Sequence, residues 1–185
     1  MKPDVVLLAT GGNALVPGSI PGVHSPHVCT APDIILGRRR SQGKRAVVIG
    51  SGMTGLETSE FLCQQGCEVT VIEMAPEIAP GTWFQLVDDE MERLQPHGVK
   101  FMAGTKLLEI KPDGVVVENV KSGMQEFLPA EDVVLSMGVR PDQALKGKLE
   151  AAMPILPVYL IGDAVKSGTI ANAVHSAYDT VIGIR

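Results

Sequence analysis

The sequence has no surplus of positive charge, no long apolar run and no paired cysteines, and each absence removes a class of function. Sixteen Lys and Arg stand against 21 Asp and Glu, a formal net charge of -5, so there is no general basic field for nucleic acid or an anionic membrane. The longest apolar stretches, such as Val5 to Ala9 and Val133 to Leu135, fall far short of the roughly 20 residues a membrane helix needs. No charged, then apolar, then small-residue leader opens the chain, and a cytoplasmic location is expected. Cys29, Cys63 and Cys67 make neither a C-x-x-C pair nor an even framework, so reduced thiols are expected. His24, His27, His97 and His175 lack companions at ligand spacing, and no metal is expected.

What is present describes a soluble globular chain. Hydrophobic residues make up 45% and charged residues 20% of 185 positions, with mean hydropathy +0.19. That length allows one good core, or one complete domain with pieces of another.

The periodicity alternates between strand and helix. Asp4 to Ala9 reads as a buried strand closed by Thr10-Gly11-Gly12, and a Pro- and Gly-rich passage through Pro32 reads as a connector with little regular structure. Arg38, Arg39, Arg40, Lys44 and Arg45 read as a solvated basic linker. A strand over Ala46 to Ile49 then runs into Gly50-Ser51-Gly52-Met53-Thr54-Gly55. A helix follows to Gln65, with Gly55, Ser59, Leu62 and Cys63 on one face and Gly66 at the capping position. Glu68 to Glu73 is the next strand, which completes a βαβ unit of about 30 residues.

Trp83, Val87, Met91 and Leu94 mark the inner face of a second helix, with Asp88, Asp89, Glu90 and Glu92 mostly outside. Val99 to Met102 reads as a third parallel strand. From Lys106 to Leu128, short runs broken by Pro112-Asp113-Gly114 and Lys121-Ser122-Gly123 predict a three-stranded antiparallel meander. Asp132 to Met137 and Val158 to Ile161 return as strands, and Thr169 to Arg185 as a closing helix.

The chemistry is concentrated at the glycine loop. A dinucleotide pyrophosphate is anionic and must approach the backbone closely. Gly50 permits the tight turn, Gly52 leaves room for phosphate and Gly55 lets the helix lie on the strand, while Ser51, Met53 and Thr54 belong to the amide-rich helix start. A glycine pattern alone is weak evidence, but this one follows a strand, opens a helix and lies inside a βαβ unit. Glu73 ends the next strand, where its carboxylate can accept bonds from the ribose hydroxyls and repel a 2′-phosphate. Met74 to Ile78 holds no Arg or Lys to neutralise that phosphate, so NAD(H) is expected over NADP(H).

With the fingerprint placed between two flanks, the chain resembles the pyridine nucleotide-disulfide oxidoreductase superfamily of two-dinucleotide-domain flavoproteins. The carrying residues are Val6-Leu7-Leu8-Ala9-Thr10-Gly11, which looks like the family's ATG motif, Gly50 to Gly55 with Glu57 and Glu73, the ATG-like run Leu135-Ser136-Met137-Gly138, and Tyr159-Leu160-Ile161-Gly162-Asp163. Ile161 to Ala164 followed by Ile170 to Val174 is most similar to the C-terminal part of NADH:flavin oxidoreductases related to 2,4-dienoyl-CoA reductase and 2-enoate reductase.

The resemblance implies an α/β fold in which a Rossmann-like NAD(H)-binding domain, residues 44–139, is flanked by incomplete FAD-domain pieces, residues 1–43 and 140–185. It implies that Thr10 and Gly11 lie on the FAD side, that Asp163 with Gly162 reaches the flavin's ribityl chain, and that Glu57 and Gly138 belong to the cofactor site. The implied reaction is hydride transfer from NADH to FAD, with no side-chain acid or base required.

The sequence departs from that family in holding one glycine loop where a complete member has two. The chain is therefore expected to be a fragment, inactive alone and binding FAD poorly, whose partner is the missing N-terminal half of the FAD domain. Its strands Val5 to Ala9 and Val158 to Ile161 are expected to pair with each other or to drive self-association. A non-enzymatic nucleotide-sensing domain and a methyltransferase are the alternatives. Restored NADH oxidation with the missing half separates the first, and titration with S-adenosylmethionine the second.

Overall fold

The computed structural model describes residues 3–184. In chain order its elements begin with β1 (Val6–Leu8), β2 (Gly12–Ala14), β3 (Val28–Thr30), α1 (Ala31–Ile35), β4 (Arg45–Ile49), α2 (Met53–Gln64), β5 (Glu68–Ile72) and α3 (Phe84–Leu94). They continue with β6 (Lys100–Met102), β7 (Thr105–Lys111), β8 (Gly114–Asn119), β9 (Gln125–Pro129), β10 (Asp132–Leu135), β11 (Val139–Pro141), α4 (Ala144–Ala152), β12 (Val158–Leu160) and α5 (Ile170–Gly183). The chain divides into two compact units, Ala14–Gly138 and the paired flanks Met1–Asn13 and Val139–Arg185.

The larger unit is built on a parallel five-stranded sheet in the order β3-β10-β4-β5-β6. Its central strands are apolar on both faces, as a covered parallel sheet requires. Ala46, Val47, Val48 and Ile49 of β4 and Val133, Val134 and Leu135 of β10 are all buried. Helices pack on one face, where Ile34, Leu62, Val48 and Val71 share a cluster. The antiparallel sheet β7-β8-β9 covers the other, where Ile110, Val115 and Val117 meet Val47, Ile49 and Ile72. The meander thus takes the place of a crossover helix, as the turn signals predicted.

α2 buries Gly55, Ser59, Leu62 and Cys63 as its period predicted, together with Leu56 and Thr58. It ends where Gly66 takes φ +88. The Gly66 N–H donates to Cys63 O and the Cys67 N–H to Leu62 O, the paired bonds of a Schellman cap.

Four expectations are corrected. The connector is not irregular, because Val28-Cys29-Thr30 pairs in parallel with β10 and Asp33 Oδ2 accepts from the Thr30 N–H at 3.0 Å and O–H at 2.6 Å to start α1. Cys29 is consequently a core residue, and burial pushes its thiol, like that of Cys63, up to about 11.

Trp83 is 75% exposed rather than in the core. It precedes α3 with an extended backbone, so the helical period does not carry it inward. Glu90 is buried instead of outside, because it shares the inner face with Leu94 one turn on. Burial pushes its carboxyl up although the Arg93 guanidinium pairs with it.

Arg39 is not a solvated linker residue. Its side chain is 19% exposed and lies 3.7 Å from the fully buried Asp132. Asp132 Oδ2 also accepts from the Ser41 hydroxyl at 2.7 Å and from the Gln42 and Gly43 amides at 2.8 and 3.2 Å, which ties the segment before β4 to the start of β10.

In the smaller unit β1 and β12 pair in parallel, Val6 opposite Val158, and β2 pairs with β11. The two apolar strands thus pair with each other, the first of the two outcomes expected of them. Thr169 caps α5, accepting from the Asn172 N–H at 3.3 Å while its own N–H donates to Asn172 Oδ1 at 2.8 Å. Among the described residues no helix is long and apolar enough to cross a membrane.

Candidate functional site

The C-terminal ends of β4, β5 and β10 converge on the glycine loop. Gly50 follows β4 with φ +101, and a Cβ there would lie 2.3 Å from Ser136 O. A Cβ on Gly55 would lie 2.1 Å from Gly50 O, so these two glycines allow loop, helix and β10 to approach one another. Gly52 differs. It is the residue before α2, and nothing lies within 4 Å of the place a Cβ would take. The open space thus sits at the start of a 12-residue helix, where amides without helical partners and the positive dipole end favour an anion.

Ser51 is fully buried and faces inward. Its N–H and its hydroxyl both donate to Glu73 Oε2 at 2.9 Å, and its oxygen accepts from the Ala79 N–H at 2.9 Å. Glu73 Oε1 accepts from the Ala75 N–H at 2.8 Å. Burial alone would push the Glu73 carboxyl up, but the Ala75 and Ser51 donors outweigh it and hold it below the usual carboxylate range. Ser51 therefore fixes and ionises the carboxylate rather than facing open space.

Glu73 and the loop open onto a cleft of about 290 Å³. Ile49 and Ile72 lie at the strand ends, Gly50, Gly52, Glu73 and Met74 on one side, and Ser136 and Met137 beyond β10. Thr105, Lys106 and Leu107 of β7 complete the wall. A larger hollow of about 560 Å³ lies against α3 and β6, but its charged residues are Asp88 and Glu92, which would repel a phosphate.

The predicted residues fall into two groups. Gly50 to Gly55, Glu57, Glu73 and Gly138 all belong to the larger unit. Thr54 and Glu57 are exposed and Met53 half-buried along the first turns of α2, and Gly138 takes φ +89 just after the cleft residue Met137.

Thr10, Gly11, Gly162 and Asp163 belong to the smaller unit, beyond the ends of β1 and β12. There the Thr10 hydroxyl donates to Asp142 O at 2.6 Å, and Asp163 Oδ1 accepts from the Gly168 N–H at 3.2 Å. Thr105, Lys106 and Leu107 went unpredicted, since nothing local marks a meander residue as cleft wall. Met74, Ser136 and Met137 had a signal in their place at parallel strand ends, where α/β sheets bind ligands.

A family model described as pyridine nucleotide-disulphide oxidoreductase matches residues 1–178. The chain belongs to this family. Proteins that it resembles include an NADH oxidase of Thermoanaerobacter brockii, 35% identical over 186 residues that cover 96% of this chain and 27% of that protein. A bilirubin reductase of Mediterraneibacter gnavus is 34% identical over 182 residues, with 96% and 27% covered.

Among solved structures a 2-naphthoyl-CoA reductase complex superposes with a TM-score of 0.87 at 30% identity, covering 99% of this chain and 27% of that one. The chain spans less than a third of the length of these relatives. The family is one of oxidoreductases whose cofactors are NAD(H) and FAD.

Proposed function

We propose that this chain is the NAD(H)-binding module of a longer flavin-dependent oxidoreductase that passes hydride from NADH to FAD. The observation that carries the reading is an ionised carboxylate, Glu73, fixed in the same cleft as the open helix start at Gly52. One end suits ribose hydroxyls and the other a pyrophosphate, and the space at Gly52 that a Cβ would fill fits the phosphate's approach.

NADH, when bound, supplies the hydride and FAD accepts it. This chain's residues bind and orient. The first amides of α2, with Gly52, Met53 and Thr54, hold the pyrophosphate, Glu73 accepts from the ribose, and Glu57 and Gly138 lie toward the nicotinamide. Thr10, Gly11, Gly162 and Asp163 belong to the flavin side in this reading. The FAD pyrophosphate site is assigned to a part of the protein outside these 185 residues, so the chain alone is expected to bind FAD poorly and to be inactive.

Glu73→Gln tests the reading. Each bond from a ribose hydroxyl to a charged acceptor contributes about 1.5–3 kcal/mol, so NADH affinity falls roughly tenfold or more while NADPH, no longer repelled, loses less. Acid should mimic the variant. The folded carboxyl titrates below its ordinary value near 4.5, so its contribution to stability is complete above that value and disappears as pH falls through the lower folded value. Fluorescence titration with both dinucleotides checks this, and equal affinities for NADH in wild type and variant would overturn it.

A further inference from the structure

Among the described residues lining the cleft, Lys106 alone carries a positive charge, yet it is not at liberty. Lys106 on β7 lies directly opposite Glu118 on β8, and Glu118 lies directly opposite Gln125 on β9. Lys106 Nζ is 2.8 Å from Glu118 Oε1, and the Gln125 side-chain amide donates to Glu118 Oε2 at 2.9 Å. The three side chains make a polar row straight across the meander. Its last member orients the carboxylate and leaves the ammonium as that carboxylate's partner. The Lys106 contact, then the Gln125 contact, holds the Glu118 carboxyl below its ordinary value, so Glu118 is a carboxylate at neutral pH.

The bookkeeping of charge at this end of the cleft follows from that row. Glu73 is negative, and Lys106 and Glu118 cancel. A 2′-phosphate brought to the ribose end adds roughly -1.5 to -2 at neutral pH, as phosphomonoesters do, and would meet one carboxylate and an ammonium already engaged. Were Glu118 uncharged, the same lysine stem, half-exposed at 41%, would carry an unengaged ammonium in the same cleft.

We infer that Glu118 is a specificity-determining residue acting through Lys106: by holding the cleft's ammonium on the meander, it denies a 2′-phosphate its counter-charge and keeps the site for NADH. The inference rests on the proposed NAD(H) reading of the cleft. Glu118 touches no part of the dinucleotide in it and acts as a positioning residue, whereas Lys106 is the group that would meet the phosphate. Specificity is then a second layer, since Glu73 selects for the ribose hydroxyl while Glu118 withholds the group that would rescue the wrong cofactor.

The test titrates the 185-residue chain and its Glu118→Gln, Lys106→Met and doubly substituted variants with NADH and NADPH. Glu118→Gln should tighten NADPH by roughly tenfold, in keeping with a partly screened phosphate–ammonium contact, and change NADH by less than about twofold. Lys106→Met should bind NADPH no better than wild type. The double variant should return to the wild-type ratio, which a general loosening of the meander would not produce.

An unchanged NADPH-to-NADH ratio in Glu118→Gln, or a gain that survives loss of Lys106, would overturn the inference while leaving the cleft's assignment intact. Failure of the wild-type chain to bind either dinucleotide would overturn the assignment and this inference with it.

Discussion

Replacing Gly50 with alanine is expected to lower the thermal midpoint by roughly 6–12 °C and to abolish measurable NADH binding. Two costs combine. The backbone at Gly50 has φ +101, a region where an L side chain costs about 1–2 kcal/mol. The new Cβ would lie 2.3 Å from Ser136 O and 3.0 Å from its carbon. Those are backbone atoms at the end of β10 and cannot swing away, so over-packing adds about 1–3 kcal/mol.

A total near 3 kcal/mol gives the midpoint change quoted for a chain of this size. Gly52→Ala is the paired control. Its φ is -57 and nothing lies within 4 Å of its added methyl, so the midpoint should hold while NADH binding weakens, because the methyl occupies the phosphate's approach. Thermal unfolding with and without NADH separates the two effects. A Gly50→Ala protein that melts with the wild type would contradict the packing at the loop.

Asp132→Ala is expected to cost about 3–5 kcal/mol, the range for removing one partner of a buried charge pair, and to shift the urea midpoint accordingly. Asp132 is fully buried and satisfies the Ser41 hydroxyl and the Gln42 and Gly43 amides. It also faces Arg39, whose Nη1 donates to Val28 O at 3.1 Å. Alanine would leave the Arg39 guanidinium without its counter-charge and three donors without this acceptor, and release the segment leading into β4. Asp132→Asn, which keeps an acceptor oxygen, should lose less. Equal midpoints for wild type and Asp132→Ala would show that the cluster is idle.

What could be read in the sequence was whatever repeats locally. The βαβ unit was legible because a β-branched strand, three spaced glycines and an acidic strand end lie within one short stretch, and the meander because Pro112-Asp113-Gly114 and Lys121-Ser122-Gly123 punctuate it. β3 was hidden because only pairing with β10, over a hundred positions away in sequence, makes Val28-Cys29-Thr30 a strand. α4 was missed because none of its residues is buried, so no apolar stripe announces it.

The candidate site shows the same division. Gly50, Gly52 and Glu73 carry their own local pattern, whereas the cleft wall at Lys106 exists only after the meander folds beside the sheet. Ser51 belongs to the helix start by sequence, and its own hydrogen bonds go to Glu73 and Ala79. A serine at that position gives no sequence sign of which way it faces.

Calorimetric titration of the 185-residue chain with NADH, and separately with NADPH, tests the assignment of the cleft most directly. Saturable binding of one NADH per chain, with NADPH at least roughly tenfold weaker, is the predicted result. No heat from NADH at concentrations that saturate ordinary dinucleotide sites, or NADPH binding as tightly as NADH, would contradict it.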